Sequence, residues 1–542
     1  MPVTHTLKSV PAPTGGLNAR DGVANMSPTD ATTLTNWIPD TGGVRCRKGY
    51  REWAINFPGG AAVKSIMSYF SPSTLFPAGT YLTAPTVMPG TLFAATDTAI
   101  YTVTTTTNAP VSALALSGAA NAGWFSHAIT SNSGGNFLMA CSEADGYFTY
   151  DGTTWLRRVF GVAAGQVGNI DPNKLVHVNL WKRRAWFVER DSTKAWYLPT
   201  DSISGLAVAF DFGPLFKKGG HLSFTASWTI DAGEGIDDFF VAVSSNGEVA
   251  IYKGSDPASA STFSLQGVWY IGQVPVGRRG YSAYGGDLLI VSTDGIVPLS
   301  EVTRGGSGLL TAANREYSSK ISILVGEALR NTFTKYGWQL LLSPSDRLLM
   351  CSIPDYINHT NQQFALSTVV NQWCLLQDIP ALCFGTVGSY TFSGTKDGKM
   401  LLLFQDYGDA VAYGSTGGGE PIQGDVVTAS SDFGTPAQVK QFVMVRPVFV
   451  GAFDPGVVAD VIADYMDPPY QANPINTAYA LTAWNVASWN SGIWMPTTRD
   501  TFANWYSTNT LGTSGAARIS TACIADTILA RVDYMMNVGG PL

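Results

Sequence analysis

The stretch FVAVSSNGEVAIYKG, residues 240–254, sets the reading of the fold. Two apolar runs flank a polar turn. Asn246-Gly247 is a pair that tight hairpins favour, because the central turn positions need positive φ. The same unit of strand, polar turn and second strand recurs along the chain. It appears as LFAATDTAIYTV (92–103), FLMACSEADGYFTYDGTTW (137–155) and RRAWFVERDSTKAWYL (183–198). It returns as LLIVSTDGIVPLS (288–300) and YTFSGTKDGKMLLLF (390–404), with a weaker copy in LLLSPSDRLLMCSIP (340–354). Asp294-Gly295 and Asp397-Gly398 supply the same turn chemistry. Successive copies begin roughly 45–55 residues apart, which suits a β-propeller built from four-stranded blades. A blade cannot cover its own faces, so blades pack around an axis. Unrelated hairpins in a sandwich also give regular turn signals, but the repeat favours the propeller.

The expected fold class is mainly β: a β-propeller-like repeat domain with an additional C-terminal β domain and one inserted helix. Residues 1–60 read as an extended N-terminal segment with a packing or interface role, and 61–404 as the propeller-like hairpin repeats. The helix is expected near 319–333. There Ile321, Leu324, Val325, Ala328, Leu329 and Phe333 follow helical spacing, with Ser318 or Ser319 as the cap. Residues 405–436, QDYGDAVAYGSTGGGEPIQGDVVTASSDFGTP, read as a Gly-rich acidic loop or linker. Residues 437–542 follow as a C-terminal β domain, whose strands have the extended N-terminal segment as a possible pairing partner.

Charged residues make up only 13% of the chain, about half the usual share, which suits a protein that hides surface against partners. The net charge of −7 falls in the C-terminal quarter. Twelve acids there face Lys440, Arg446, Arg499, Arg518 and Arg531, whereas residues 1–400 are balanced. Tight nucleic-acid binding needs a basic tract, and none is present. The pairs Arg157-Arg158, Arg183-Arg184, Lys217-Lys218 and Arg278-Arg279 are isolated and are expected to be solvated or in local ion pairs. The six cysteines are scattered without Cys-x-x-Cys spacing, so free thiols are expected in a protein made in a reducing cytosol. The opening residues lack the apolar core of a secretory signal, and no apolar run approaches a membrane span.

Catalytic patterns are absent. His5, His127, His177, His221 and His359 show no metal-ligand spacing, and there is no nucleophile elbow or phosphate-cradling loop. Asp237-Asp238 and Glu143/Asp145 are the acids to weigh for glycoside hydrolysis. Adjacent acids on a strand point to opposite faces, and Glu143 and Asp145 fall at a hairpin turn. YDGTTW (150–155) is similar to the Asp-box of sialidase propellers, a structural turn. The expectation is no enzyme, no cofactor and no metal.

WNVASWNSGIW (484–494) spaces Trp484, Trp489 and Trp494 five residues apart, which fits neither helix nor strand period. Exposed, these indoles would stack on sugars; buried, they would anchor a core or a subunit interface, as would Trp37. The N-terminal run GGLNARDGVANMSPTDATTLTNWIPDTGGVRCRKGY (15–50) resembles the opening of tail proteins of short-tailed phages. MVRPVFV, the spaced tryptophans and the final GGPL are similar to the ends of the same proteins.

That resemblance, to the podovirus tail tubular or nozzle family, implies a virion protein of the tail, made in the host cytoplasm. It implies a propeller-based homo-oligomer, a six-fold ring below the tail adaptor, with tail fibre, needle or plug proteins as further neighbours. Viral double-stranded DNA would pass through without tight binding and be retained before ejection. An acidic wall would let DNA slide, and Asp406, Asp409, Glu420, Asp425 and Asp432 are candidate lumen or loop residues for it. The alternative is a carbohydrate- or receptor-binding propeller module of the same tail.

Overall fold

The computed structural model describes residues 5–71, 85–229, 238–304, 318–415, 418–466 and 499–541. Trp484, Trp489, Trp494 and Asp237 lie outside the described residues.

Six four-stranded blades and one three-stranded sheet stand in a ring. The first blade comprises Ser65–Tyr69, Thr91–Ala95, Ala99–Thr102 and Val111–Ala115. The second comprises Phe125–Asn132, Gly135–Ser142, Gly146–Tyr150 and Trp155–Arg157. The third comprises Leu175–Trp181, Arg184–Glu189, Lys194–Tyr197 and Val208–Asp211. The fourth comprises Leu222–Trp228, Phe239–Ser244, Glu248–Gly254 and Phe263–Tyr270. The three-stranded sheet follows, with Tyr281–Tyr284, Asp287–Ser292 and Gly295–Pro298. The fifth blade comprises Gln339–Ser343, Leu348–Ser352, Gln362–Ser367 and Gln372–Gln377. The sixth takes Cys383–Val387, Tyr390–Gly394 and Met400–Asp406, and its outer strand is Gly49–Ala54 from the start of the chain.

Alternation explains why near-continuous apolar runs form these blades. Phe240 and Ala242 pack toward Val176, Trp181 and Trp186 of the third blade. Val241 and Val243, one residue out of step, pack toward Leu288 and Ile290 of the three-stranded sheet. Each face of a blade is thus a core for a different neighbour. The turn glycines have the conformation the sequence requires: φ is +83° at Gly247, +112° at Gly295 and +70° at Gly398. At Gly247 a Cβ would stand 1.8 Å from the Gly272 carbonyl oxygen, so no other residue fits without movement. Gly49–Ala54 closes the ring, with Leu402 opposite Arg51 and Met400 opposite Ala54. Trp53 seals this closure edge-on to Phe392 at 5.2 Å and donates its indole N–H to the Val103 carbonyl at 2.8 Å.

The expected helix is present as Ser322–Thr332, burying Val325, Ala328 and Leu329. It packs on Gly295–Pro298, with the Thr293 carbonyl pressed against Gly326. The expected serine cap is not there: Ser318 donates its hydroxyl to the Ile296 carbonyl (2.6 Å), tying the chain to the sheet instead. A second, short helix, Leu299–Arg304, was not expected. Its six residues are too few to show a period.

The two ends of the chain form a β-sandwich beside the propeller. One sheet joins Thr6–Pro11, Trp37–Asp40 and Gly43–Cys46 to Gln438–Gly451, Asp500–Phe502, Tyr506–Gly512 and Thr527–Pro541. The other joins Asp30–Thr35 to Ile422–Thr428, Gly515–Cys523 and Gly456–Ala463. Through Thr35 opposite Leu375 this second sheet runs into the fifth blade. The N-terminal segment thus supplies six strands, and Thr6–Pro11 pairs antiparallel with Thr527–Pro541. Residues 405–436 are not simply a loop: Ile422–Thr428 is an interior strand, paired to Asp30–Thr35 on one side and Gly515–Cys523 on the other. Trp37 is fully buried in the sandwich core, stacked on Phe449 at 6.0 Å.

Candidate functional site: the closed propeller axis and the sandwich seam

Inner strands are tied to their neighbours by polar side chains. Ser65 accepts from the Phe125 amide (2.8 Å) and donates to the Gly123 carbonyl (2.7 Å), linking the first two blades. Gln339 makes the same two-way bond with the backbone of Phe384, 2.9 Å in each direction, between the fifth and sixth. These bonds satisfy backbone groups that blade packing leaves unpaired.

Two arginines in the linker before Tyr281 then cross the axis. Arg278 donates to Glu143 Oε1 of the second blade at 2.9 Å and to the Leu222 and Ser223 carbonyls of the fourth. Both partners of this ion pair are nearly buried. Arg279 lies 4.7 Å over the Trp124 ring and donates to the Lys64 carbonyl (3.0 Å) beside the first blade. Tyr336 stacks on Trp124 at 5.8 Å. The space left among these groups is about 10 Å³, room for a single water. Below them His177 is buried, with Nε2 3.2 Å from the Tyr281 hydroxyl. Burial, and then the Arg278 charge, hold its imidazole down at about 3. His127, in the second blade's inner strand, keeps solvent contact. The dibasic motif reads like any solvated pair in sequence, and nothing local marks it as an axial closure.

The candidate acids are mostly neutralised within the subunit. Asp409 receives two bonds from Arg47, at 2.7 and 2.5 Å. Asp406 accepts from Arg51 Nε at 2.7 Å, and Asp425 from Arg518 at 3.1 Å and Ser520 at 3.0 Å. Of the five, only Glu420 and Asp432 are exposed. Of these candidate lumen or loop residues, Asp406, Asp409 and Asp425 thus have partners within the subunit: the sequence shows a charge excess but not the long-range partners that absorb it.

The acids weighed for hydrolysis have structural partners. Glu143 holds Arg278, Asp145 accepts the Ser117 amide (2.9 Å), and Asp238 lies 3.3 Å from Lys182 and 2.8 Å from the Thr229 hydroxyl. Asp151 accepts from the Thr153 and Thr154 amides, both at 2.8 Å, and these turn bonds lower its carboxyl to about 2. Among the described residues no cluster of three or more His, Cys, Asp or Glu is placed to hold a metal ion. Among them, too, no helix is long and apolar enough to cross a membrane. One open concavity of about 600 Å³ lies at the outer edge of the second blade, lined by Arg157, Val159, Phe160, Asp171 and Asn173. Phe160 and Val159 are exposed in it.

The fold and its closed axis define a β-propeller fused to a β-sandwich made from both chain ends. No known family model and no curated protein matches the sequence. Among solved structures the chain is similar to the computationally designed Ika8 protein, with 10% identity over 65% of this chain and 99% of that one, and a TM-score of 0.35. It is also similar to YCF48 from Cyanidioschyzon merolae (11% identity, 66% of this chain, 98% of that one, TM-score 0.33). A third is the β-propeller domain of Myceliophteria thermophila Cps50 (Swd1), at 9% identity, 63% and 99% coverage and a TM-score of 0.35. At such scores the likenesses carry no functional argument, and the propeller rests on its own ring of sheets.

Proposed function

We propose that this chain is a structural protein of a short phage tail, a subunit of a six-fold nozzle ring that conducts and helps retain packaged DNA. It acts by geometry and not by catalysis. It sits in the virion tail beneath an adaptor and beside fibre, needle or plug proteins, having been made in the host cytoplasm. The observation that supports this reading is the meeting of the two segments that resemble short-tail proteins. Gly43–Cys46, from the N-terminal motif, pairs with Thr527–Pro541, which pairs in turn with the strand carrying MVRPVFV. The described parts of the resemblance thus meet in one sandwich.

Because Arg278 and Arg279 fill the propeller axis, DNA on this reading runs between subunits, along the ring's own axis. A second reading, a carbohydrate- or receptor-binding module, is favoured by the open concavity at Phe160 and Asn173, where an exposed aromatic stands beside polar groups.

Electron microscopy of the purified full chain, with rotational symmetry left free, separates the two. A six-fold ring around a duplex-wide opening is the expected result. A monomer that binds glycans on an array, and loses that binding in F160A, would overturn the ring and establish the second reading.

A further inference from the structure

The six cysteines are all buried, and two of them face each other across the sandwich. Cys46 stands directly opposite Trp37 on the neighbouring strand, so their side chains share a face. The Trp37 indole nitrogen lies 2.4 Å from where a Cβ on Gly424 would be, pressing that face onto Ile422–Thr428. Gly424 is opposite Thr521 and Ile422 is opposite Cys523. Two residues apart on one strand, Thr521 and Cys523 share the face that meets Trp37. The register therefore brings Cys523 under Cys46, close enough for each thiol to shift the other's acidity. Cys46 belongs to the N-terminal segment and Cys523 to the penultimate strand of the sandwich, so the contact joins the two ends of the chain.

We propose that Cys46 and Cys523 are an oxidisable pair, which closes to a disulfide across the sandwich when the protein meets a small peroxide after leaving a reducing cytosol. The attacking sulfur is that of Cys523. Contact with the Cys46 thiol favours the Cys523 thiolate against the cost of its burial, whereas the Cys46 thiol is pushed up by the same contact and by burial. Cys523 thiolate takes the terminal oxygen of hydrogen peroxide, giving a sulfenic acid and hydroxide, which is protonated to water. The Cys46 sulfur then attacks the sulfenic sulfur and forms the S–S bond, and the displaced hydroxyl leaves with the Cys46 proton as a second water. Two thiols are oxidised by two electrons, and one peroxide is reduced to two waters. No such partner is evident for the other four thiols. Cys351 and Cys374, for example, each donate to a backbone carbonyl. The proposal is independent of the tail-ring reading, since it concerns only the sandwich.

The test uses the full-length protein. Reduced protein, denatured and alkylated with N-ethylmaleimide, should carry six adducts, one per cysteine. After brief treatment of the folded protein with hydrogen peroxide it should carry four, and peptide mapping should recover Cys46 linked to Cys523. The unfolding midpoint should rise by roughly 2–5 °C on oxidation and fall back with dithiothreitol, because the link closes a loop spanning most of the chain. C523S should take up five adducts before and after peroxide. Six adducts retained by the wild type, a sulfinic acid at Cys523 without a link, or a link between other cysteines would each overturn the proposal. The wild-type adduct count decides the matter even where C523S fails to fold.

Discussion

Replacing Arg47 tests the main departure of the structure from the charge pattern of the sequence. Its side chain is fully buried and Asp409's nearly so. The guanidinium makes five bonds. Two go to Asp409, one to Asn36 Oδ1 (2.8 Å), one to the Gln377 carbonyl (2.9 Å) and one to the Lys48 carbonyl (3.2 Å). Those partners lie in the N-terminal segment, the fifth blade and the stretch after the sixth, so one side chain fastens three parts of the fold. R47M keeps the volume but strands Asp409 as a buried carboxylate. The expected loss is about 3–5 kcal/mol, the usual result of breaking a buried pair from one side.

In R47M/D409L both charges are gone, the desolvation cost goes with them, and stability should return to within about 2 kcal/mol of wild type. Urea unfolding followed by tryptophan fluorescence reads both differences. D409N alone should also destabilise, with the loss read in folding yield and not in any contact with DNA. An R47M protein within about 1 kcal/mol of wild type would refute the buried-pair reasoning, as would a double variant no better than the single.

Three further changes probe the propeller. His177 is buried neutral and its folded pKa, about 3, lies below its unfolded value, so the unfolded state binds the extra proton. Stability contributed by this site is complete above about pH 6.5 and falls as the pH drops toward 3, by about 2 kcal/mol between pH 7 and pH 5. Urea midpoints of wild type and H177Q should therefore converge on acidification, and parallel curves would contradict the assignment. G247A should cost about 2–4 kcal/mol by the same assay, since its methyl meets the Gly272 carbonyl and its φ is positive; a neutral result would mean the turn relaxes freely. In R279M the amides of Ser65–Tyr69 and Phe125–Asn132 should exchange hydrogen faster while the outer strands of the same blades do not, and unchanged exchange would argue that Arg279 does not hold the axis.

The blades were legible because their physics is local. Phe239–Ser244 alternates between two cores, and Gly247 must be glycine where it stands, so a dozen residues carry both strand and turn. What stayed hidden depends on partners hundreds of residues away. Gly49–Ala54 closes the sixth blade against Met400–Asp406, a pairing to which no local periodicity points. Ile422–Thr428 looked like loop because it contains Gly424 and Asp425. Yet Gly424 is small because the Trp37 indole fills the space a side chain would take, and Asp425 is tolerated because Arg518 meets it from the next strand.

Arg278 and Arg279 make the same point from the basic side. A dibasic pair in a polar linker and one that spans a propeller axis have the same composition, and only the ring that brings Glu143, Leu222 and Lys64 around them tells them apart. Net charge therefore indicated sign but not location. Once Asp406, Asp409 and Asp425 are paired inside the subunit, any wall that repels DNA in a ring of these chains has to draw on exposed acids such as Glu420 and Asp432. The weight of the nozzle reading then shifts from a charged lumen to the sandwich, where the two chain ends meet.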